Sequence, residues 1–317
     1  MSAPRLIVDT DGGVDDAQAL MMLAGAGRLP FAVTTVFGNV PLDVATDNVL
    51  AVLATVGCDA PVHKGAVGPL IGQPVNAQDV HGDDGLGGAP RPPRQSRPAP
   101  ENAVDFLRRH LVDAGASGDR IDLLMLGPLT NLALALRLDP AIVGGLGQVT
   151  IMGATREGRG NVTPAAEFNI YADPEAAEIV FSSGLAITLV PWESCLAHFL
   201  AGDEVDELHT ASADDGAAKL SVALATHLRA NAMRRGRGDR MFFVDPLAAA
   251  VAIDADAVTS SFMAAVEVEL ARGPARGMTI IDPAARDRAA GVRIVECVDK
   301  ERLTTLYRQS IAPSLKA

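Results

Sequence analysis

The sequence predicts an α/β fold, an open and mostly parallel sheet flanked by helices. Two observations carry that expectation. Short apolar, β-branched runs alternate with longer segments of helical pattern along most of the chain, which is the mark of successive βαβ units. The first of those runs ends in a turn crowded with Asp and Gly, and an open α/β sheet binds its ligands at such strand carboxyl ends.

The elements follow in order. "LIVD" at 6–9 reads as a strand and leads into a helix from about Asp15. "FAVTTVFGN" at 31–39 is the second strand, followed by the helical "DVATDNVLAVLATVG" at 43–57. "IDLLMLGP" at 121–128 leads into "LTNLALALRL", and "QVTIMGA" at 148–154 into a loop and then "DPEAAEIVFSSG". "AITLVPW" at 186–192 leads into another helical region. Three more strand-like runs, "VEVEL", "TIID" and "RIVECV", are closed by a helix from Lys300. No repeat of fixed period occurs, so residues 1–317 read as one domain.

Two stretches interrupt the alternation, and both are expected to be active-site loops. Residues 67–100 are too rich in Gly and Pro for much regular structure, and loops this long inside compact domains often carry function. Residues 233–243, "MRRGRGDRMFF", gather Arg234, Arg235, Arg237 and Arg240 in an otherwise acidic chain.

Bulk properties narrow the function. A chain of 317 residues with 48% apolar content can bury a large core. A net charge of -12 disfavours a nucleic acid or an anionic membrane as partner and leaves a small neutral or cationic ligand. Three widely spaced cysteines, Cys58, Cys195 and Cys297, suggest neither a disulfide framework nor a zinc site. No run approaches ~20 apolar residues and no leader is visible, so a soluble, cytoplasmic protein is expected.

The informative stretch is "DTDGGVDDAQAL" from residue 9. Asp9, Asp11, Asp15 and Asp16 crowd one strand-to-helix turn, where like charges at a few Å repel and push at least one pKa upward. The amide groups and dipole of one helix N-terminus can stabilise one carboxylate, not four. A hard divalent cation resolves the conflict, since Ca2+ or Mg2+ prefers carboxylate, carbonyl and water oxygens. A strand followed by DxDG also resembles phosphatases of the haloacid dehalogenase type, with Asp9 as nucleophile and Asp11 as acid/base. The Thr expected after that glycine is here Gly13, and Asp15 and Asp16 would have no task.

Further segments bear on the choice. "DTDGGVDDAQAL", "TTVFGN", "HGDDGLGG", "LGPLTNLALAL", "IMGA", "GNVTPAAEFNIYADPEAA" and "VDPLAAA" stand in the order and at roughly the spacing of the inosine-uridine type nucleoside hydrolases, which the chain resembles from Leu6 to about Asp254. The resemblance implies a nucleoside hydrolase-like sheet with its active site at the strand C-termini. It also implies hydrolysis of the N-glycosidic bond of a ribonucleoside, in purine or pyrimidine salvage, by a homodimer or homotetramer. Carried over, the Ca2+ ligands would be Asp11, Asp16, the carbonyl of Leu126 and Asp245, with Asp11 also acting as general base on water. Asp15 and Asn39 would hold the ribose 2′- and 3′-hydroxyls. Asn161, Glu167 and Asn169 would grip the 5′ side, Met152 would pack beneath the ring, and Phe168 would lie near the base. The cleavage passes through an oxocarbenium-like sugar, so carboxylates and amide oxygens around the ring favour its transition state.

The chain departs from the family at the leaving group. Val244 precedes Asp245, where many members carry a His that protonates the departing base and another branch carries a Trp that stacks on it. Candidate substitutes are His81, Trp192, Glu193, Cys195, His198 and His227, with His81 favoured because "HGDDGLGG" matches a loop that closes over the base. The four arginines are placed to contact the base by position only. Besides a working hydrolase, the sequence thus leaves open a ribose or nucleoside binder without catalysis, and the metal-dependent phosphatase.

Overall fold

The computed structural model describes residues 4–91, 96–210, 216–284 and 291–311. Its strands are β1 (Arg5–Thr10), β2 (Ala32–Thr35), β3 (Val62–Lys64), β4 (Ile121–Met125), β5 (Leu146–Met152), β6 (Ile187–Val190), β7 (Phe199–Ala201), β8 (Arg240–Phe242), β9 (Val258–Val268), β10 (Thr279–Asp282) and β11 (Val292–Val298). A 9-stranded sheet has the order β10-β9-β11-β6-β5-β4-β1-β2-β3. From β11 to β3 every pairing is parallel, while β9 is antiparallel to both β11 and β10. The expected open, mostly parallel sheet is therefore present.

The wholly apolar start of β1 follows from its position. Leu6 and Val8 point into one core layer and Ile7 into the other, because helices cover both faces and side chains alternate along a strand. The chain leaves β1 for β2 and β3 on one side, then returns to β4, β5 and β6 on the other. Strand order thus reverses between β1 and β4, and the crevice at their carboxyl ends is where an open α/β sheet takes its ligand.

Two helices are buried nearly all round. Val14–Gly25 is buried from Val14 to Leu23, and Asp245–Ile253 from Asp245 to Val251. A helix without a polar face belongs inside the molecule. The two pack against each other, and their N-terminal turns bring Asp15, Asp16 and Asp245 together.

Some elements go beyond the sequence expectation. β9 begins at Val258 rather than at "VEVEL", because its first half lies half-exposed and its Ser and Thr residues break the apolar run. The β7–β8 ribbon and the helices Ala103–Ser117 and Gly216–Arg234 were not anticipated. Ala103–Ser117 carries both boundary signals: the Asn102 side chain accepts from the Asp105 amide, and Gly118 ends the helix at φ 80. Within residues 67–100 the regular structure is the four-residue helix Gln78–His81, and residues 92–95 lie outside the described residues. No described helix is long and apolar enough to cross a membrane.

Candidate active site

The acidic turn is assembled by close backbone approaches. Gly12 sits at φ +68, and a Cβ there would fall 2.6 Å from the Ala45 Cα, so glycine is required for both conformation and space. A Cβ on Gly38 would stand 2.0 Å from Asp11 Oδ2. That gap lets the next residue clamp Asp11: the Asn39 amide N–H donates to Asp11 Oδ2 at 2.8 Å and its Nδ2 to Asp11 Oδ1 at 2.8 Å. Nδ2 also reaches Asp16 Oδ2 at 3.0 Å, which accepts from the Gly13 N–H at 2.7 Å. The Thr10 hydroxyl donates to the other Asp16 oxygen.

Asp15, Asp16 and Asp245 each offer a buried oxygen, and these oxygens lie within 4.8 Å of one another. Burial pushes Asp15 up to about 6. Burial and the Asp15 charge raise Asp16, and burial with the charges of Asp15, Asp16 and Asp11 holds Asp245 well above the usual carboxylate range. Burial and the Asp16 charge raise Asp11 well above that range too. Asp15 Oδ1 has no hydrogen-bond partner. Crowded, desolvated, oxygen-only donors with one oxygen unspent fit a hard divalent cation and leave few other ways to neutralise the site. The trio with converging oxygens contains Asp15, expected on the ribose. Asp11 lies beside it in the Asn39 clamp, and the Leu126 carbonyl accepts from Asn169 Nδ2 at 2.9 Å.

Above the cluster opens a cavity of about 320 Å³, a volume suited to a small organic ligand. Asp15, Asn39, Leu126, Asp245, Met152, Asn161, Glu167, Phe168 and Asn169 line it, and so does His81, whose Nδ1 lies 3.6 Å from Asp15 Oδ1. Asp11 and Asp16 are fully buried outside the lining. Glu167 caps Phe168–Ala172, accepting the N–H groups of Asn169, Ile170 and Ala154, and burial still lifts it to about 7. Ala154, φ 69, has positive φ without being glycine. Its N–H goes to Glu167 Oε2 at 3.0 Å and its carbonyl accepts from the Trp192 backbone N–H at 3.0 Å, so one strained residue links two residues of the cavity lining. Asn161 Oδ1 is buried without a partner.

Comparison with known proteins meets this geometry. A family model described as "Inosine-uridine preferring nucleoside hydrolase" matches residues 6–305. The chain belongs to that family. It is 40% identical to "Uridine nucleosidase 1" of Arabidopsis thaliana over 207 residues, 64% of this chain and 61% of that protein. It is 38% identical to "Non-specific ribonucleoside hydrolase RihC" of Klebsiella pneumoniae, covering 73% of this chain and 74% of the relative. The matches span about 60% of the length of several curated relatives. Among solved structures, "Plant nucleoside hydrolase - PpNRh1 enzyme" superposes with a TM-score of 0.90 at 32% identity, over 98% of this chain and 100% of that one. A "Purine-Preferring Ribonucleoside Hydrolase from Gardnerella vaginalis" gives 0.87 at 28% identity, over 97% and 98%.

For this nucleoside hydrolase family member, the substitutes for a donor at Val244 sort by position. Cys195 is buried outside the cavity with its thiol pushed well up by burial and nearby carboxylates. His198 spends both ring nitrogens on Ser194 and Val298. Glu193 holds the N–H groups of Arg156 and Glu157, and His227 Nε2 donates to the Val80 carbonyl at 2.7 Å. His81, Trp192 and Val244 itself line the cavity. His81 Nδ1 accepts from the Val14 N–H at 3.1 Å, which leaves the proton of the neutral ring on Nε2, and burial lowers its pKa to about 4. Asn76 and Phe242 fall in the two stretches expected to be active-site loops, whereas the sequence expectation missed Leu228, Asn231 and Ala232. Their placement depends on how Gly216–Arg234 and β8 dock, and no local motif marks it.

Proposed function

We propose that this protein hydrolyses the N-glycosidic bond of ribonucleosides in a Ca2+-dependent reaction, giving ribose and free base. The observation that carries this is the buried carboxylate cluster at a nucleoside-sized cavity whose lining also holds amide and carboxylate groups suited to a sugar. Asp11, Asp16, Asp245 and the Leu126 carbonyl would hold the cation, with Asp15 close enough to join them. Ca2+ held there supplies Lewis acidity toward water and the ribose hydroxyls.

The rest is work for side chains. Asp11, a buried carboxylate clamped beside the cation site, takes the proton released by the attacking water. Asp15 Oδ1 and the Asn39 side-chain oxygen receive the 2′- and 3′-hydroxyls, and the unpartnered Asn161 Oδ1 receives the 5′-hydroxyl with Glu167 and Asn169. Met152 packs beneath the ring, with Phe168 and His81 toward the base. As positive charge develops on the ribose, these oxygens bind it more tightly than the ground state. A homodimer or homotetramer in a reducing cytosol belongs to the same proposal and rests on the family likeness and the free cysteines.

Val244 favours a second possibility, a ribonucleoside binder without turnover, because valine cannot protonate a base. Asp11→Ala separates the two: a hydrolase loses about 10³-fold or more in kcat while calorimetry still detects nucleoside binding. A wild type that binds nucleosides and never turns over is the binder. The phosphatase alternative fails on geometry. Asp9 is 1% exposed, lies outside the cavity, and accepts from Thr34 Oγ1 at 2.6 Å and Asn131 Nδ2 at 2.7 Å on the opposite face of the sheet.

A further inference from the structure

Two cations that the proposed sugar and metal chemistry does not use line the cavity. Arg235 and Arg237 both line it, from the turn after Gly216–Arg234. Arg235 is spent on Asp79 at 2.9 Å, joining this turn to the Gln78–His81 segment. Arg237 is different. Its guanidinium carbon lies 5.2 Å from the centroid of the Trp192 ring, and among the described residues no hydrogen bond or ion pair engages the guanidinium. The backbone that carries Trp192 is held, its amide N–H donating to the Ala154 carbonyl while the next residue, Glu193, grips the Arg156 and Glu157 amides. Val244 lines the same cavity.

An unpaired, half-buried cation stacked on an aromatic wall is a waiting anion site. Arginine stays charged at any physiological pH, so it cannot give the departing base a proton. It can act through its charge and its paired N–H donors, which match a planar O=C–N edge. Burial and the nearby Arg235 charge both disfavour the Arg237 cation, so a negative partner is doubly welcome. We propose that Arg237 stabilises the departing base as an anion, through a ring carbonyl that shares the charge.

This rests on the hydrolase proposal above. The C1′–N bond breaks with its electron pair staying on the base, delocalised onto the carbonyl oxygen facing Arg237. Water forms the new C1′–O bond and gives its proton to Asp11. The base anion takes a proton from solvent on release, and Asp11 returns its own, so the sum is nucleoside plus water to ribose plus neutral base. Uracil, hypoxanthine and cytosine each offer the guanidinium a ring carbonyl, whereas adenine offers an amino group, a donor instead of an acceptor. Among uridine, inosine, cytidine and adenosine, the rate on adenosine is therefore expected to depend least on Arg237.

The test compares wild type, Arg237→Gln and Arg237→Lys on those four nucleosides and on 4-nitrophenyl riboside, whose leaving group is already stable as an anion. Arg237→Gln should lose about 10²-fold in kcat/KM on uridine and inosine, the usual scale for removing one stabilising donor, and less than 3-fold on the nitrophenyl riboside. The loss on adenosine should be smaller than on uridine, and Arg237→Lys should recover part of the loss. An equal loss on all five substrates would make Arg237 a structural residue, and no loss on uridine would make it a solvated one; either overturns the proposal. A chelator-sensitive wild-type rate on the nitrophenyl riboside upholds the hydrolase function by itself, whatever Arg237 does. No wild-type rate on any of the five would sink both.

Discussion

Asp9 and Asp11 stand two residues apart and do opposite things. Asp9 is the last inward residue on one face of β1, anchored by Thr34 and Asn131, while Asp11 has left the strand and is clamped by Asn39. Burial raises Asp9 from the ordinary 3.8 to about 7. The folded chain therefore binds this proton more tightly than the unfolded chain. The stability it contributes is complete below about pH 4 and is lost as pH rises through about 7. Asp9→Asn should accordingly gain on wild type in unfolding free energy between about pH 5 and pH 8, by at most about 4 kcal/mol. Parallel pH profiles would contradict this. Gly38→Ala probes the neighbouring clamp: with a Cβ 2.0 Å from Asp11 Oδ2 the carboxylate must move. We expect kcat to fall about 10²-fold with circular dichroism unchanged. Strand period alone would put Asp9 and Asp11 on one face, and it is the end of β1 at Thr10 that separates them. The Asn39 clamp was not legible in the sequence, because it depends on β2 lying beside β1 with Thr35 opposite Thr10.

At the scale of elements, the site depends on two buried helices ending at one point and on a strained connection beyond β5. "DTDGGVDDAQAL" and "VDPLAAA" were readable as helix starts because Asp and Pro favour the first turn. That the starts converge follows from tertiary packing. Ala154 was not legible at all, since alanine gives no hint of a left-handed conformation. Its φ of 69 costs about 1 kcal/mol or more. Ala154→Gly should raise stability by about 0.5–1 kcal/mol, read as a higher denaturation midpoint at unchanged slope. A drop would mean that the methyl group, buried at this site, contributes more by packing than the backbone loses. The helix Gly216–Arg234 and the arginine turn after it line part of the cavity, and sequence placed only the arginines. Which of them is paired and which is free emerges from contacts with Asp79 and Trp192, distant in the chain.

For the whole molecule, the reversal of strand order between β1 and β4 explains why residues from the first sixteen positions, the middle and Asp245 meet in one crevice. The alternation of strands and helices made that architecture legible, while the edge made by β9 and β10 was only partly so, because half-exposed strands carry mixed sequence. The central claim is that the buried acidic cluster holds a cation for N-glycoside hydrolysis. The most direct measurement follows free base and reducing sugar released from uridine and inosine by the full chain, with Ca2+, with a chelator, and with Ca2+ restored in excess. Release of base and ribose in equal amounts, abolished by the chelator and regained with Ca2+, is the expected result. Turnover indifferent to the chelator, or no turnover with Ca2+ present, would contradict it.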